Sequence, residues 1–231
     1  MIKFILLFTF LFSINLFAHS FNFIAIGDAP YTETGGIDMF KKLVEQINAR
    51  NPDFTIHVGD IKGGNEKCTD ERILKVKKLF DQFNHPLLYT PGDNEWTDCF
   101  RASSGSMNPI ERLSRIRSLF FTKAESFGQK KLQYVSQATE AKFKKFRENY
   151  YFPYKGGLVA SVHIVGSNNN LRNEDEEAVK EFHERQVANL AWLDKIFNAS
   201  KNLKFLILFF HAEIGWGSTK DKFKGYQAVY K

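Results

Sequence analysis

The stretch LLYTPGDNEWTDC, residues 87–99, decides how this chain is read. A strand-like apolar run, Pro86-Leu87-Leu88-Tyr89, stops at Pro91-Gly92, and the acidic and polar cluster Asp93-Asn94-Glu95 follows at once. Strands rarely end so unless the turn binds something. Two upstream segments repeat the arrangement. Phe21–Ile26 ends in Gly27-Asp28, and Phe54–Val58 ends in Gly59-Asp60.

Between these runs lie segments with apolar residues at helical spacing. Ile37–Arg50 carries Ile37, Phe40, Leu43, Val44 and Ile47, and Glu71–Phe83 carries Ile73, Leu74, Val76, Leu79, Phe80 and Phe83. Further along, Ile110–Phe121 and Ala138–Glu148 read as helices, and Ser103–Pro109 as a polar turn. Leu158–Val165 reads as a fourth strand ending in Gly166-Ser167-Asn168-Asn169. Glu174–Phe197 reads as a long helix, and Leu203–Phe210 as a fifth strand ending at His211. Strand–helix alternation with largely apolar strands predicts an α/β fold, a mainly parallel sheet flanked by helices. Ligand sites in such sheets lie at the carboxyl ends of the strands. Here those ends carry Asp28, Asp60, Asp93-Asn94, Asn168-Asn169 and His211.

Composition limits what this rim does. The 231 residues suffice for one domain with a sizeable core, and 43% hydrophobic with 25% charged residues is ordinary for a globular chain. The start differs: Met1-Ile2-Lys3 is a short positive segment, Phe4 to Phe17 an apolar run, and Ala18 a small residue at a cut. This predicts a signal peptide over residues 1–18, a mature domain over 19–231, and export to the periplasm or beyond the cell. The run is short for a span of ~20 apolar residues, and no later segment is long enough to cross a membrane. Loss of Lys3 with the leader leaves 31 basic against 26 acidic residues, net +5. The basic residues are dispersed, which argues for solvated surface rather than a nucleic-acid patch and is compatible with a phosphate-bearing substrate. Two cysteines, Cys68 and Cys99, in an exported chain predict a disulfide; two buried free thiols are the other reading.

Each strand-end residue has an ordinary explanation as a turn or helix cap. Three Gly-Asp ends on one rim do not, because clustered carboxylates repel unless a cation sits between them. Oxygen and imidazole donors suit Mn²⁺, Fe or Zn²⁺. With Gly27-Asp28-Ala29-Pro30, Gly59-Asp60, Gly92-Asp93-Asn94-Glu95 and the terminal His211, the chain resembles the calcineurin-like metallophosphoesterases over roughly Phe21 to His211. Within that family it is most similar to a secreted branch that keeps Gly-Asp-Asn-Glu. Pro109-Ile110-Glu111-Arg112-Leu113 and Val162-His163-Ile164-Val165-Gly166-Ser167-Asn168-Asn169 fit the same branch.

The resemblance implies an α/β/β/α sandwich and hydrolysis of a small-molecule phosphate ester by two divalent metal ions. Asp28 would ligate the first metal, Asp60 bridge both, Asp93 stand for the family's metal-binding Asn, and His211 ligate the second. Asp60 and Asn94 would occupy the catalytic positions, although the family keeps a His where Asn94 stands. Pro30 replaces another family ligand, for which Tyr31 could in principle donate a phenolate. No Gly-His-x-His follows His211, so the implied C-terminal sheet is incomplete. The alternative is a non-catalytic or truncated relative that binds metal or ligand without turnover. Asn168 and Asn169 either bind substrate oxygens or form a tight turn. His57 reads as a buried structural residue, as does His163, which could also support a ligand. His85 and His183 read as surface or helix-boundary residues. A Cys68–Cys99 bridge would hold the Asp60 and Asp93 loops together.

Overall fold

The computed structural model describes residues 20–32, 35–215 and 220–229. The expected leader at 1–18 lies outside these residues.

The first half is strand–helix–strand–helix–strand: β1 (Phe23–Ile26), α1 (Gly36–Arg50), β2 (Phe54–His57), α2 (Asp70–Phe80) and β3 (Leu87–Tyr89). α1 buries Ile37, Phe40, Val44 and Ile47, one stripe at helical spacing, and stops at the left-handed Asn51. α2 begins at Thr69, whose side chain accepts from the Arg72 N–H, and buries Ile73, Val76, Leu79 and Phe80. The three strands form one parallel sheet in the order β1-β2-β3. Its register sets Ile26, His57 and Tyr89 side by side, so the turns carrying Asp28, Asp60 and Asp93 leave a common edge.

α3 (Pro109–Phe120) follows, its first turn capped by Asn108, which accepts from Ile110 and Glu111. A second sheet is built from β4 (Val135–Ser136), β5 (Tyr150–Tyr154), β6 (Gly157–Ser161) and β7 (Leu206–Phe209). β4, β5 and β6 are antiparallel neighbours, whereas β6 and β7 are parallel, with Ser161 opposite Phe209. α4 (Glu176–Ser200) starts at Asp175, which accepts from the Ala178 N–H.

The sheets face each other across aromatic rings. Phe54 meets Phe152 and Tyr154 edge-on at 5.8 and 5.3 Å, and Phe21 meets Phe205 at 5.2 Å. Adjacent residues of β2 point the other way: the His57 ring lies 5.1 Å from Phe80 of α2 and 6.1 Å from Phe40 of α1. On the far side α4 lays Trp192, Leu193 and Ile196 against Leu158 and Ala160 of β6. The layers are therefore helix, sheet, sheet, helix. Among the described residues no helix is long and apolar enough to cross a membrane.

Three local expectations change. Residues 138–148 form two short 3₁₀ turns rather than a helix, because only Phe143 and Phe146 of this lysine-rich stretch find an apolar partner, at Ala188. Leu158–Val165 is strand only to Ser161. Its partner β5, unforeseen in the Tyr-Tyr-Phe-Pro-Tyr run, is joined to it through Lys155 and Gly156, both at positive φ, the backbone twist that tight hairpins need. His85 is buried, with Nε2 2.7 Å from the Thr55 hydroxyl, not at the surface.

Candidate metal centre

Asp60, Asp93 and His211 each present a ligand atom within 4.8 Å of the other two. They come from both sheets, since His211 stands two residues beyond β7 and Asp60 and Asp93 follow β2 and β3. The His211 ring joins the sheets. Its Nδ1–H donates to the Val58 carbonyl at 2.7 Å, leaving Nε2 2.9 Å from Asp93 Oδ1 and 3.3 Å from Asp60 Oδ1. That bond fixes the tautomer and aims Nε2 at the carboxylates, as second partners of metal-binding histidines do.

Close loop packing makes the cluster possible. Gly92 lies against the Asp60 turn so tightly that a Cβ there would fall 2.2 Å from Asp60 Oδ1 and 2.3 Å from Asp60 N. Behind it, buried Glu95 closes the Asp93 turn by accepting from the Gly92 N–H and the Tyr89 hydroxyl, both at 2.7 Å. Asn94 faces Asp60 twice, through its backbone N–H to Oδ1 at 3.1 Å and its side-chain amide to Oδ2 at 2.6 Å.

The charges are poised for a cation. Burial, reinforced by Glu95 and Asp93 and opposed by His211, pushes the Asp60 carboxyl up to about 8. Burial disfavours the His211 cation, yet the Asp93 hydrogen bond and the Asp60 and Asp93 charges outweigh it and hold the imidazole at about 10. Asp93 is held below the usual carboxylate range: burial opposes this, but hydrogen bonds from His211 and Ser167 prevail. Without a metal, protons on His211 and Asp60 thus neutralise the cluster.

Asp28 stands beside this trio rather than in it. Its Oδ1 accepts from the Tyr31 hydroxyl at 2.8 Å, and the same oxygen of Tyr31 is 3.1 Å from Asp60 Oδ2. A single phenolic proton serves two carboxylates, leaving this side rich in oxygen donors and short of positive charge. Pro30, in the place of a family ligand, offers only its carbonyl, which accepts from buried Arg72 at 2.7 Å.

Cys68 and Cys99 are joined in a disulfide, and both sulfurs rest 3.6–3.8 Å from the Asn94 carbonyl oxygen, under the turn that carries Asp93. Asn168 and Asn169 do not present their amides to the centre. Asn168 accepts from the Gly225 N–H and donates to the Leu171 carbonyl; Asn169 accepts from Arg185 and donates to the Gly225 carbonyl. His57 is buried and structural, with Nε2 2.7 Å from the Ala29 carbonyl oxygen. His163, also buried, contacts Glu148 at 2.9 Å, and its ring is tilted against Trp96 with centroids 5.5 Å apart.

Sequence reasoning missed Ser167 and Asp98. The Ser167 hydroxyl donates to Asp93 Oδ2 at 2.7 Å and lies 2.9 Å from Asp98 Oδ1, while Asp98 Oδ2 pairs with Arg101 at 2.9 Å. Only the neighbouring Gly166 hinted at a close approach here.

No curated protein matches the chain in sequence. In fold it is similar to a dimetal phosphatase from Danio rerio, with a TM-score of 0.51 and 13% identity over 90% of this chain and 75% of that one, a likeness of architecture alone. The sequence itself matches the calcineurin-like phosphoesterase family over residues 21–230. With a matching span that takes in both sheets and every residue of the Asp60–Asp93–His211 cluster, this chain belongs to the calcineurin-like phosphoesterase family.

Proposed function

We propose that the protein is a metal-dependent hydrolase of small-molecule phosphate esters, working at the rim where the two sheets meet. The observation that carries this reading is the convergence of Asp60, Asp93 and His211 in a member of this family. The donor set fits a divalent ion: two carboxylates and an imidazole, largely buried, with repulsion between the carboxylates that a cation would relieve. Asp60, Asp93 and His211 would hold one ion. Asp28, with Asp60 shared and the Tyr31 hydroxyl alongside, would hold a second, and Mn²⁺, Fe and Zn²⁺ all suit these donors. Bound there, divalent ions supply Lewis acidity that polarises the phosphoryl group and acidifies water.

The chain's own residues do the rest. Asp60 would be the shared anion between two such cations, since it faces both the Asp93–His211 side and the Asp28–Tyr31 side. Asn94 orients Asp60 through two hydrogen bonds, and its amide has no titratable proton to give a leaving alcohol. Esters of acidic alcohols, such as aryl phosphates, should therefore turn over fastest. The disulfide fits work in an oxidising compartment, which supports export.

Asn94 also supports a second reading, a protein that binds metal or a phosphate ligand without turnover, because its amide is spent on Asp60. Both readings meet one experiment. The protein from residue 19 onward is loaded with Mn²⁺, Fe²⁺ or Zn²⁺ and assayed on an aryl phosphate and a bis-aryl phosphodiester. Hydrolysis abolished by Asp60→Asn supports the enzyme. Metal binding without turnover supports the binding protein, and absence of metal binding defeats both.

A further inference from the structure

Residues 167–170 run through four consecutive left-handed positions: φ is 49° at Ser167, 54° at Asn168, 56° at Asn169 and 62° at Asn170. Each such residue other than glycine costs roughly 1–2 kcal/mol, and asparagine is the usual exception. Asn occupies three of the four positions. Ser167 is the outlier, and backbone strain of this kind persists only where surrounding contacts enforce it.

Those contacts are present. Arg185, fully buried on α4, donates through Nη1 to Asn169 Oδ1 at 2.5 Å and through Nη2 to the Asn169 carbonyl at 2.8 Å. Glu181 holds the same guanidinium at 2.7 Å. From the other side Gly225 and Tyr226 meet the Asn168 side chain and the Asn169 N–H. The turn is clamped from both sides, and its tip meets Asp93. Gly166 lies so close that a Cβ there would sit 2.5 Å from Asp93 Oδ1. The Ser167 hydroxyl takes the other oxygen, Oδ2, at 2.7 Å. Asp93 Oδ1 is thereby the oxygen left facing His211 Nε2, at 2.9 Å.

We propose that Ser167 is the positioning residue of the metal centre: the clamped left-handed turn presents its hydroxyl to Asp93 Oδ2, so that Oδ1 alone is offered to an ion beside His211. This rests on the metal-centre reading above. Removing an outer partner of a metal ligand typically weakens metal affinity by roughly 10- to 100-fold. Backbone relaxation acts in the opposite direction on stability, because glycine takes up positive φ without strain.

The two effects separate in one pair of variants, with Mn²⁺ alone as the probe in titration calorimetry. Ser167→Gly should melt above Ser167→Ala without metal, because both lose the bond to Asp93 and only glycine relieves the strain, yet it should bind Mn²⁺ roughly 10- to 100-fold more weakly than wild type. Ser167→Ala, which keeps the Cβ and loses only the hydroxyl, should show the same loss of affinity. A merely structural serine would change melting and leave affinity untouched. Folded variants that bind Mn²⁺ within about twofold of wild type would overturn the role of Ser167 alone, given the loss expected of such partners. A wild-type protein that binds none of Mn²⁺, Fe²⁺ and Zn²⁺ in the same titration would overturn the metal centre and this role with it.

Discussion

Replacing both cysteines, Cys68→Ala with Cys99→Ala, tests how the Asp60 and Asp93 loops are held. The bridge spans a sequence separation of 31, and both cysteines are fully buried. On the chain-entropy account, closing a loop of that length removes about 12 cal/mol/K from the unfolded ensemble, or about 3.7 kcal/mol at 25 °C. In a domain of this size each kcal/mol moves the melting temperature by about 2–4 °C, so the double variant should melt about 7–15 °C lower. The loss should reach the site, because both sulfurs sit under the Asn94 carbonyl, and Asn94 holds Asp60 by two hydrogen bonds. Scanning calorimetry gives the first effect, and Mn²⁺ titration of the folded variant should show weaker binding. A fall in melting temperature under about 3 °C, with metal affinity unchanged, would refute the claim that the bridge restricts the unfolded chain and braces the site.

Two further outcomes follow from the charges. Asp60 at about 8 and His211 at about 10 carry protons at neutral pH without metal, so an ion must displace them. Mn²⁺ affinity should rise with pH, by roughly tenfold per unit for each proton displaced, and calorimetry in buffers of different ionisation heat should count the protons; a flat profile would contradict this. Both folded-state values exceed the ordinary ones, 3.8 and 6.5, so the folded state binds the extra protons. The metal-free protein should consequently lose stability as pH rises, from about 4 to 8 through Asp60 and from about 6.5 to 10 through His211. On α4, Arg185→Met would leave buried Glu181 without its cation, at a cost of about 3–5 kcal/mol in a denaturant melt, and a second change, Glu181→Leu, should recover much of it.

The layout of the rim was legible in the sequence because it depends on local pattern. Apolar runs ending in Gly-Asp marked β1, β2 and β3, and a parallel sheet necessarily brings such ends to one edge. The register Ile26–His57–Tyr89 is that edge. His211 was legible for the same reason, as the end of β7. Less regular segments were not. Phe143 and Phe146 carry helical spacing, yet two rings in a lysine-rich stretch bury too little to hold a helix, and β5 becomes a strand only because β6 lies beside it.

What the sequence by itself determined is which residue types reach the rim: three carboxylates, an imidazole, and two cysteines on neighbouring loops. Only the tertiary structure decided how they divide. Asp60, Asp93 and His211 converge, Asp28 stands beside them and shares the Tyr31 hydroxyl with Asp60, and Asn168 and Asn169 turn away to Gly225 and Arg185. Ser167, an unremarkable letter after Gly166, becomes the partner of Asp93. The reason is range. Hydrophobic periodicity acts over a few residues, whereas Ser167 meets Asp93 across 74 positions and His211 meets it across 118, and contacts that distant exist only once both sheets have closed on each other.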